Sequence, residues 1–109
     1  MSEEQIGKEK VIRIFDVADY QKDAVVSKTI HDREAGSVTV FAFDRGQGLS
    51  EHMAPYAALV YVVDGTFEIR ISNELFEVNK GEALIMPANK PHALKALTKC
   101  KMLLIMIRS

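Results

Sequence analysis

Two histidines, His52 and His92, are the residues of this sequence best suited to chemistry. An imidazole can ligate a transition metal, transfer a proton near neutral pH, or hydrogen-bond a ligand inside a pocket. His52 follows a glycine-rich stretch, residues 46–51, and His92 directly follows Pro91. His92 lies forty positions after His52 with turn signals in between, and this spacing can bring two strands side by side in a barrel.

The other reactive side chains have simpler interpretations. His31 lies in a charged segment, residues 29–34, and is interpreted as a solvated turn residue. Cys100 is the only cysteine, so neither an intrachain disulfide nor a cysteine-based zinc finger can form. Its neighbours Lys99 and Lys101 are cations that would lower a thiol pKa, but a packed thiol is the preferred interpretation. A histidine acting as general base is an alternative that lacks a paired carboxylate or nucleophile.

The segments that must position these residues are predicted as β-strands. Roughly nine or ten short apolar runs follow one another, with turn signals about every 8–12 residues. Asp64-Gly65 predicts a two-residue hairpin with a type I′ turn, and residues 16–22 could hold one helical turn. Sheet this dense should close on itself or double over, because exposed strand edges promote aggregation. The predicted strands are residues 11–15, 24–30, 37–43, 57–63, 66–72, 75–78, 83–86, 92–97 and 101–107.

Composition limits the class of protein. The chain has 109 residues and 48% apolar residues, which supports one domain with a packed core. Lys plus Arg (14) nearly balances Asp plus Glu (15), so neither a nucleic acid nor an anionic membrane is an expected partner. No apolar run is long enough to span a membrane, and the acidic N-terminus differs from a secretory signal. We therefore expect a cytoplasmic protein with residues 1–10 as an N-terminal tail or lead-in and residues 11–109 as one barrel domain.

Glycine, proline and histidine positions resemble the two motifs of the cupin superfamily. The first motif reads Gly, five residues, His-x-His, three or four residues, Glu, six residues, Gly. The second reads Gly, five residues, Pro-x-Gly, two residues, His, three residues, Asn. The resemblance covers residues 46–96 and implies an all-β, single-domain cupin barrel, a double-stranded β-helix or jelly roll. The matching residues are Gly46, His52, Gly65, Gly81, Pro87 and His92.

Two departures from the first motif concern metal binding. In cupins, the two histidines and the Glu of the first motif usually hold a divalent metal with the His of the second. Here Ala54 and Ala58 stand at the second His and the Glu positions, and neither can ligate. Two neutral imidazoles without a carboxylate leave a divalent ion short of donors and charge. The resemblance thus implies that the metal site is either vacant or completed by ligands unusual for the family. A divalent transition metal bound by His52 and His92 stays an alternative interpretation.

Neighbouring side chains offer few replacements for the missing ligands. Glu51 adjoins His52, so in a regular strand its carboxylate points to the opposite face unless a bulge turns it inward. Tyr56 and Met86 are candidates for lining a ligand pocket, and Met86 is a poor ligand for hard divalent ions and is interpreted as core. Asn89 replaces the motif glycine, a mild change because Asn tolerates positive φ.

Three functions remain open. The first is a small cupin that binds a small molecule without catalysis, because two inward imidazoles in an apolar barrel form the polar part of a typical ligand site. The second is a metal-dependent enzyme, similar to a dioxygenase or isomerase, that uses the reduced histidine site. The third is a structural or interaction module with a vestigial pocket.

One pattern concerns a protein partner. Residues 57–63 and 102–107 are apolar at odd and at even positions alike, so both faces of each predicted strand are apolar. A barrel strand turns only one of its faces inward. The outward side chains, including Leu59, Tyr61 and Val63, need another cover. We predict a homodimer through this face; the alternative is cover by the chain's own N-terminal strands.

Overall fold

A computed structural model of the protein describes residues 9–108, and within this range nine β-strands follow one short helix. The predicted all-β class is confirmed. No helix in the described range is long and apolar enough to cross a membrane. The elements are α1 Ile14–Val17, β1 Val25–Arg33, β2 Gly36–Phe43, β3 Gly48–His52, β4 Ala57–Asp64, β5 Thr66–Ile71, β6 Glu74–Asn79, β7 Ala83–Met86, β8 His92–Ala96 and β9 Cys100–Ile107.

The strands form two antiparallel sheets that face each other. The five-stranded sheet has the order β1-β2-β9-β4-β7, and the four-stranded sheet has the order β3-β8-β5-β6. The sequence predicted that the sheet would either close on itself or double over. It doubles over, since the described strands form two separate hydrogen-bonded sheets. The core lies between them, where the fully buried rings of Phe43 and Phe67 meet edge to face with centroids 5.0 Å apart.

The Asp64-Gly65 turn joins the two sheets, and the hairpin predicted there is wrong. β4 pairs with β7 and β9, whereas β5 pairs with β6 and β8. Only Gly65 of the two residues has a positive φ, +77°. A Cβ at Gly65 would lie 2.1 Å from the carbonyl oxygen of Lys99, so this corner requires glycine for space as well as for φ.

The N-terminal segment also differs from its prediction. Residues 11–15 do not form a strand; α1 begins within them and leads into a segment packed on the outer face of the five-stranded sheet. Ala18 is fully buried there against Ile30, Val40 and Ala42. Of the predicted tail, residues 1–8 lie outside the described range, and Glu9 and Lys10 are exposed.

Two further corrections concern the strands near the histidines. β3 is absent from the predicted runs because its sequence, Gly-Leu-Ser-Glu-His, has only one apolar side chain besides glycine. His31 is part of β1 rather than a turn; it pairs with Val38 beside an irregularity in the β1–β2 register and remains exposed. A strand that is mostly solvated lacks the apolar alternation that sequence analysis requires.

Candidate functional site

Strands β3 and β8 bring the two histidines together. His52 and His92 are direct partners in the antiparallel register of these strands, after an irregularity between Leu49 and His52. Directly opposed residues project to the same face of a sheet. His52 is exposed, and His92 is buried, with 7% of its surface accessible. The first and second cupin-like motifs therefore meet across a single pair of strands.

The imidazoles contact each other through their Nε2 atoms, which lie 3.0 Å apart. The Nδ1 of His52 is 2.8 Å from the carbonyl oxygen of Ser50, and the Nδ1 of His92 is 3.3 Å from that of Lys90. A carbonyl oxygen only accepts, so both Nδ1 atoms carry hydrogens and donate. In two neutral rings, two unprotonated Nε2 atoms would then lie 3.0 Å apart with the ring planes at 72°. A proton, a cation or a ligand group that contacts both Nε2 atoms would stabilise this arrangement.

Electrostatics favours a neutral ring at His92. Burial lowers the pKa of the His92 imidazole, and the neighbouring His52 lowers it further. The hydrogen bond to the carbonyl of Lys90 acts in the opposite direction but is the smallest of the three effects. The Nε2 of His92 is therefore available as an electron-pair donor at neutral pH.

A cavity of about 70 Å³ lies beside the two rings, between the sheets. It has room for a few non-hydrogen atoms, well below the volume of a site for a drug-sized ligand. Apart from the imidazoles and the Tyr56 hydroxyl, its lining side chains are apolar. The lining residues are Leu49, His52, Ala54, Tyr56, Ala58, Met86, His92, Leu94, Met102, Leu104 and Met106.

All four predicted pocket residues, His52, His92, Tyr56 and Met86, line this cavity. Met86 is 4% exposed and belongs to the core between the sheets, whereas Tyr56 is 39% exposed. The side chains that sequence reasoning missed lie mainly on β9, at alternate positions 102, 104 and 106. Their period of two was visible, but β9 is apolar at both parities, so the sequence did not show which parity faces inward.

The donor set does not fit the divalent metal of the resemblance. Ala54 and Ala58 line the cavity and offer no ligand. Glu51 is exposed, and its Oε1 lies 3.6 Å from the guanidinium of Arg70. The described part of the chain contains no group of three or more His, Cys, Asp or Glu side chains that could hold a metal. Iron, manganese and zinc sites normally need more nitrogen or carboxylate donors than the two imidazoles provide.

Comparison with protein families assigns the fold. A family model for the cupin domain matches residues 39–107, which include β3 to β9 and both histidines. The chain belongs to the cupin family. The predicted cupin jelly roll is thus confirmed. No curated protein matches this cupin significantly.

Solved structures agree with the assignment. This cupin is similar to a conserved protein of unknown function from Streptococcus pyogenes, with 34% identity, a TM-score of 0.90 and coverage of 95% of this chain and 91% of that one. A cupin superfamily protein from Desulfitobacterium hafniense has a TM-score of 0.89 at 20% identity, with 95% of each chain covered. A cupin 2 conserved barrel domain protein from Leptotrichia buccalis is 37% identical, with a TM-score of 0.83. That match covers 86% of this chain and 46% of the other.

Proposed function

We propose that this cupin is a binding protein that takes a small ligand in the cavity between its sheets, at the His52–His92 pair, without catalysing a reaction. The observation that carries the proposal is the convergence of two Nε2 atoms, 3.0 Å apart, beside a cavity whose other side chains are nearly all apolar. A few polar groups in an apolar cavity orient a ligand, while the apolar wall removes it from water.

The cavity offers neither a nucleophile nor a carboxylate to pair with its two imidazoles. None of the side chains that line it is a carboxylate, a lysine or a cysteine. The one thiol, Cys100, is buried and directed elsewhere, where its Sγ donates to the carbonyl oxygen of Thr66 at 2.9 Å. A histidine pair can bind and orient a ligand, but here it lacks the carboxylate that usually orients and charges a catalytic histidine.

The imidazoles are held in place before a ligand arrives. Each ring donates its Nδ1 hydrogen to a backbone carbonyl two residues earlier in the chain. These contacts fix both ring orientations, so ligand binding does not have to order them. Two rigidly held imidazoles in a small cavity favour a small ligand, one atom or group of which contacts both Nε2 atoms.

Binding is tested by thermal stabilisation with a library of small compounds and metal ions. A ligand at about a hundred times its Kd should stabilise the protein by about 2.7 kcal/mol, a rise in Tm of roughly 10 °C for a domain of this size. His52→Ala should abolish that rise. His31→Ala is the matched control, because His31 is exposed on β1 and does not line the cavity. An equal rise in the His52→Ala variant would overturn the proposal.

A metal-dependent enzyme is the second candidate. It is favoured by the Nδ1 contacts, since metal-bound histidines usually donate their other nitrogen to a carbonyl or carboxylate. Near-stoichiometric iron, manganese, nickel or zinc in protein purified without an affinity tag, lost in His92→Ala, would favour this candidate over the first. A cytoplasmic location and a homodimer remain predictions from the sequence.

A further inference from the structure

Three of the five methionines of the chain line the cavity that the imidazoles face. They come from two strands, Met86 from β7 and Met102 and Met106 from β9. Met86 is 4% exposed and Met102 is 1% exposed, so their thioether groups are shielded from water. Thioether sulfur is a poor donor for hard divalent ions and a good donor for soft ions such as copper(I).

The nitrogen donors have the spacing of two ligands on one ion. Two Nε2 atoms 3.0 Å apart, each about 2 Å from a common ion, subtend an angle near 90° at that ion. Both Nε2 atoms keep a lone pair for a ligand because both Nδ1 atoms donate to carbonyls. The pair therefore offers two nitrogen donors 3.0 Å apart.

The charge of the site selects a monovalent ion. Imidazole and thioether donors are neutral, and no acidic side chain lines the cavity. The cost of burying an ion rises with the square of its charge, so an uncompensated divalent ion costs about four times as much as a monovalent one. Softness and charge thus favour the same ion, and neither argument needs a ligand at position 54 or 58.

We propose that the cavity of this cupin binds one copper(I) ion through the Nε2 atoms of His52 and His92 and the thioether sulfur of at least one methionine among Met86, Met102 and Met106. The inference rests on the proposed function, because it names the ligand of the same imidazole pair. It differs from the divalent site of the family in the metal, its charge and the sulfur donor.

The experiment is an anaerobic titration of the intact protein with copper(I) in competition with a copper(I)-specific chelator, with manganese(II) and zinc(II) titrated in parallel. We expect one copper(I) per chain, held at least about 100-fold more tightly than manganese(II). His92→Ala and His52→Ala should each weaken copper(I) binding at least about tenfold. X-ray absorption at the copper edge should show sulfur as well as nitrogen neighbours.

Methionine variants test the sulfur donor separately. Leu replaces Met with little change in volume, so Met86→Leu, Met102→Leu and Met106→Leu should stay folded. At least one of them should weaken copper(I) binding about tenfold or remove the sulfur neighbour from the absorption spectrum. Met53→Leu is the matched control, because Met53 is 62% exposed and does not line the cavity.

The outcomes separate the inference from the proposed function. Copper(I) binding that none of the three cavity methionine variants alters, or no copper(I) binding by folded wild-type protein, would overturn the inference. If another compound still stabilises the wild type and not His52→Ala, the proposed function stands without copper. If His52→Ala and His92→Ala change the binding of no compound and no metal ion, both proposals fail.

Discussion

Gly65 shows how a single residue can set the architecture of this protein. It carries the chain from the five-stranded to the four-stranded sheet with φ of +77°. The ideal position of a Cβ there lies 2.1 Å from the Lys99 carbonyl oxygen, 2.7 Å from Thr98 Oγ1 and 2.9 Å from Cys100 Sγ. The close backbone oxygen makes this glycine different from the other turn glycines.

Gly65→Ala should lower the free energy of unfolding by about 3 kcal/mol or more, because both the backbone dihedral and the Lys99 carbonyl must adjust. Gly81→Ala is the control: φ at Gly81 is +86°, but no atom lies within 4 Å of the added Cβ. It should cost only about 1 kcal/mol. Chemical denaturation measures both values, and equal losses would contradict the role assigned to the Lys99 contact.

The histidine pair shows how much of the candidate site was predictable at the residue scale. The spacing of glycine, proline and histidine predicted that positions 52 and 92 would share a pocket, and the structure places their Nε2 atoms 3.0 Å apart. The direction of each ring was not predictable. It depends on Nδ1 donation to the carbonyls of Ser50 and Lys90, which is a property of the local backbone path.

At the scale of elements, the N-terminal segment, residues 12–20, covers part of the outer face of the five-stranded sheet. Lys101 of β9 anchors it: Nζ donates to the carbonyl oxygen of Phe15 at 2.6 Å and lies 3.7 Å from the Phe15 ring centroid. Tyr20 adds a second contact, since its hydroxyl donates to Asp64 at 2.6 Å. Burial and this hydrogen bond raise the pKa of Tyr20, so the hydroxyl keeps its proton.

Lys101→Met should loosen this segment, because methionine replaces the apolar stem of lysine but removes the donor to Phe15 and the cation–π contacts with Phe15 and Tyr20. We expect unfolding to become easier by about 1–2 kcal/mol and amides of residues 13–20 to exchange with solvent faster. Lys99→Met is the control, since Lys99 is exposed and its Nζ lies 5.6 Å from the Tyr20 ring centroid. Identical exchange in the two variants would rule out the anchor.

The wrong predictions at this scale have two physical causes. A strand and a helical turn of four or five residues can have the same apolar content, so residues 11–15 read as a strand although α1 begins at Ile14. β3 was missed for the opposite reason, because it is short and mostly solvated. Its place in the sheet comes from pairing with β8, which is a long-range contact.

On the scale of the whole molecule, an apolar row remains on the outer face beyond the N-terminal segment. Ile85, Leu59 and Ile105 are direct neighbours on three adjacent strands. Tyr61 is 41% exposed, Ile85 64% and Ile107 56%. The outward cover expected from the sequence is thus supplied only in part by the chain itself. Exposed apolar rows of this kind are typical of protein–protein interfaces, so the homodimer stays a prediction for this face.

Wild-type protein should therefore elute with twice the mass of the 12.2 kDa chain in size-exclusion chromatography with light scattering. Ile85→Lys should shift it to the monomer, because a buried, unpaired ammonium would oppose association of this face. Leu75→Lys is the control, a substitution at a 61% exposed position on β6 of the other sheet. A monomeric wild type, or dissociation by both variants, would reject this interface.

Local signals in the sequence by themselves determined the all-β class, most strand positions, the cupin family and the positions of the two histidines. They did so because apolar runs, turn residues and motif spacing act over a few neighbouring positions. Only the tertiary structure decided the sheet crossing at Gly65, the packing of the N-terminal segment and the inward parity of β9. Those features depend on which distant strands meet, and that choice brings Met86, Met102 and Met106 around the imidazoles.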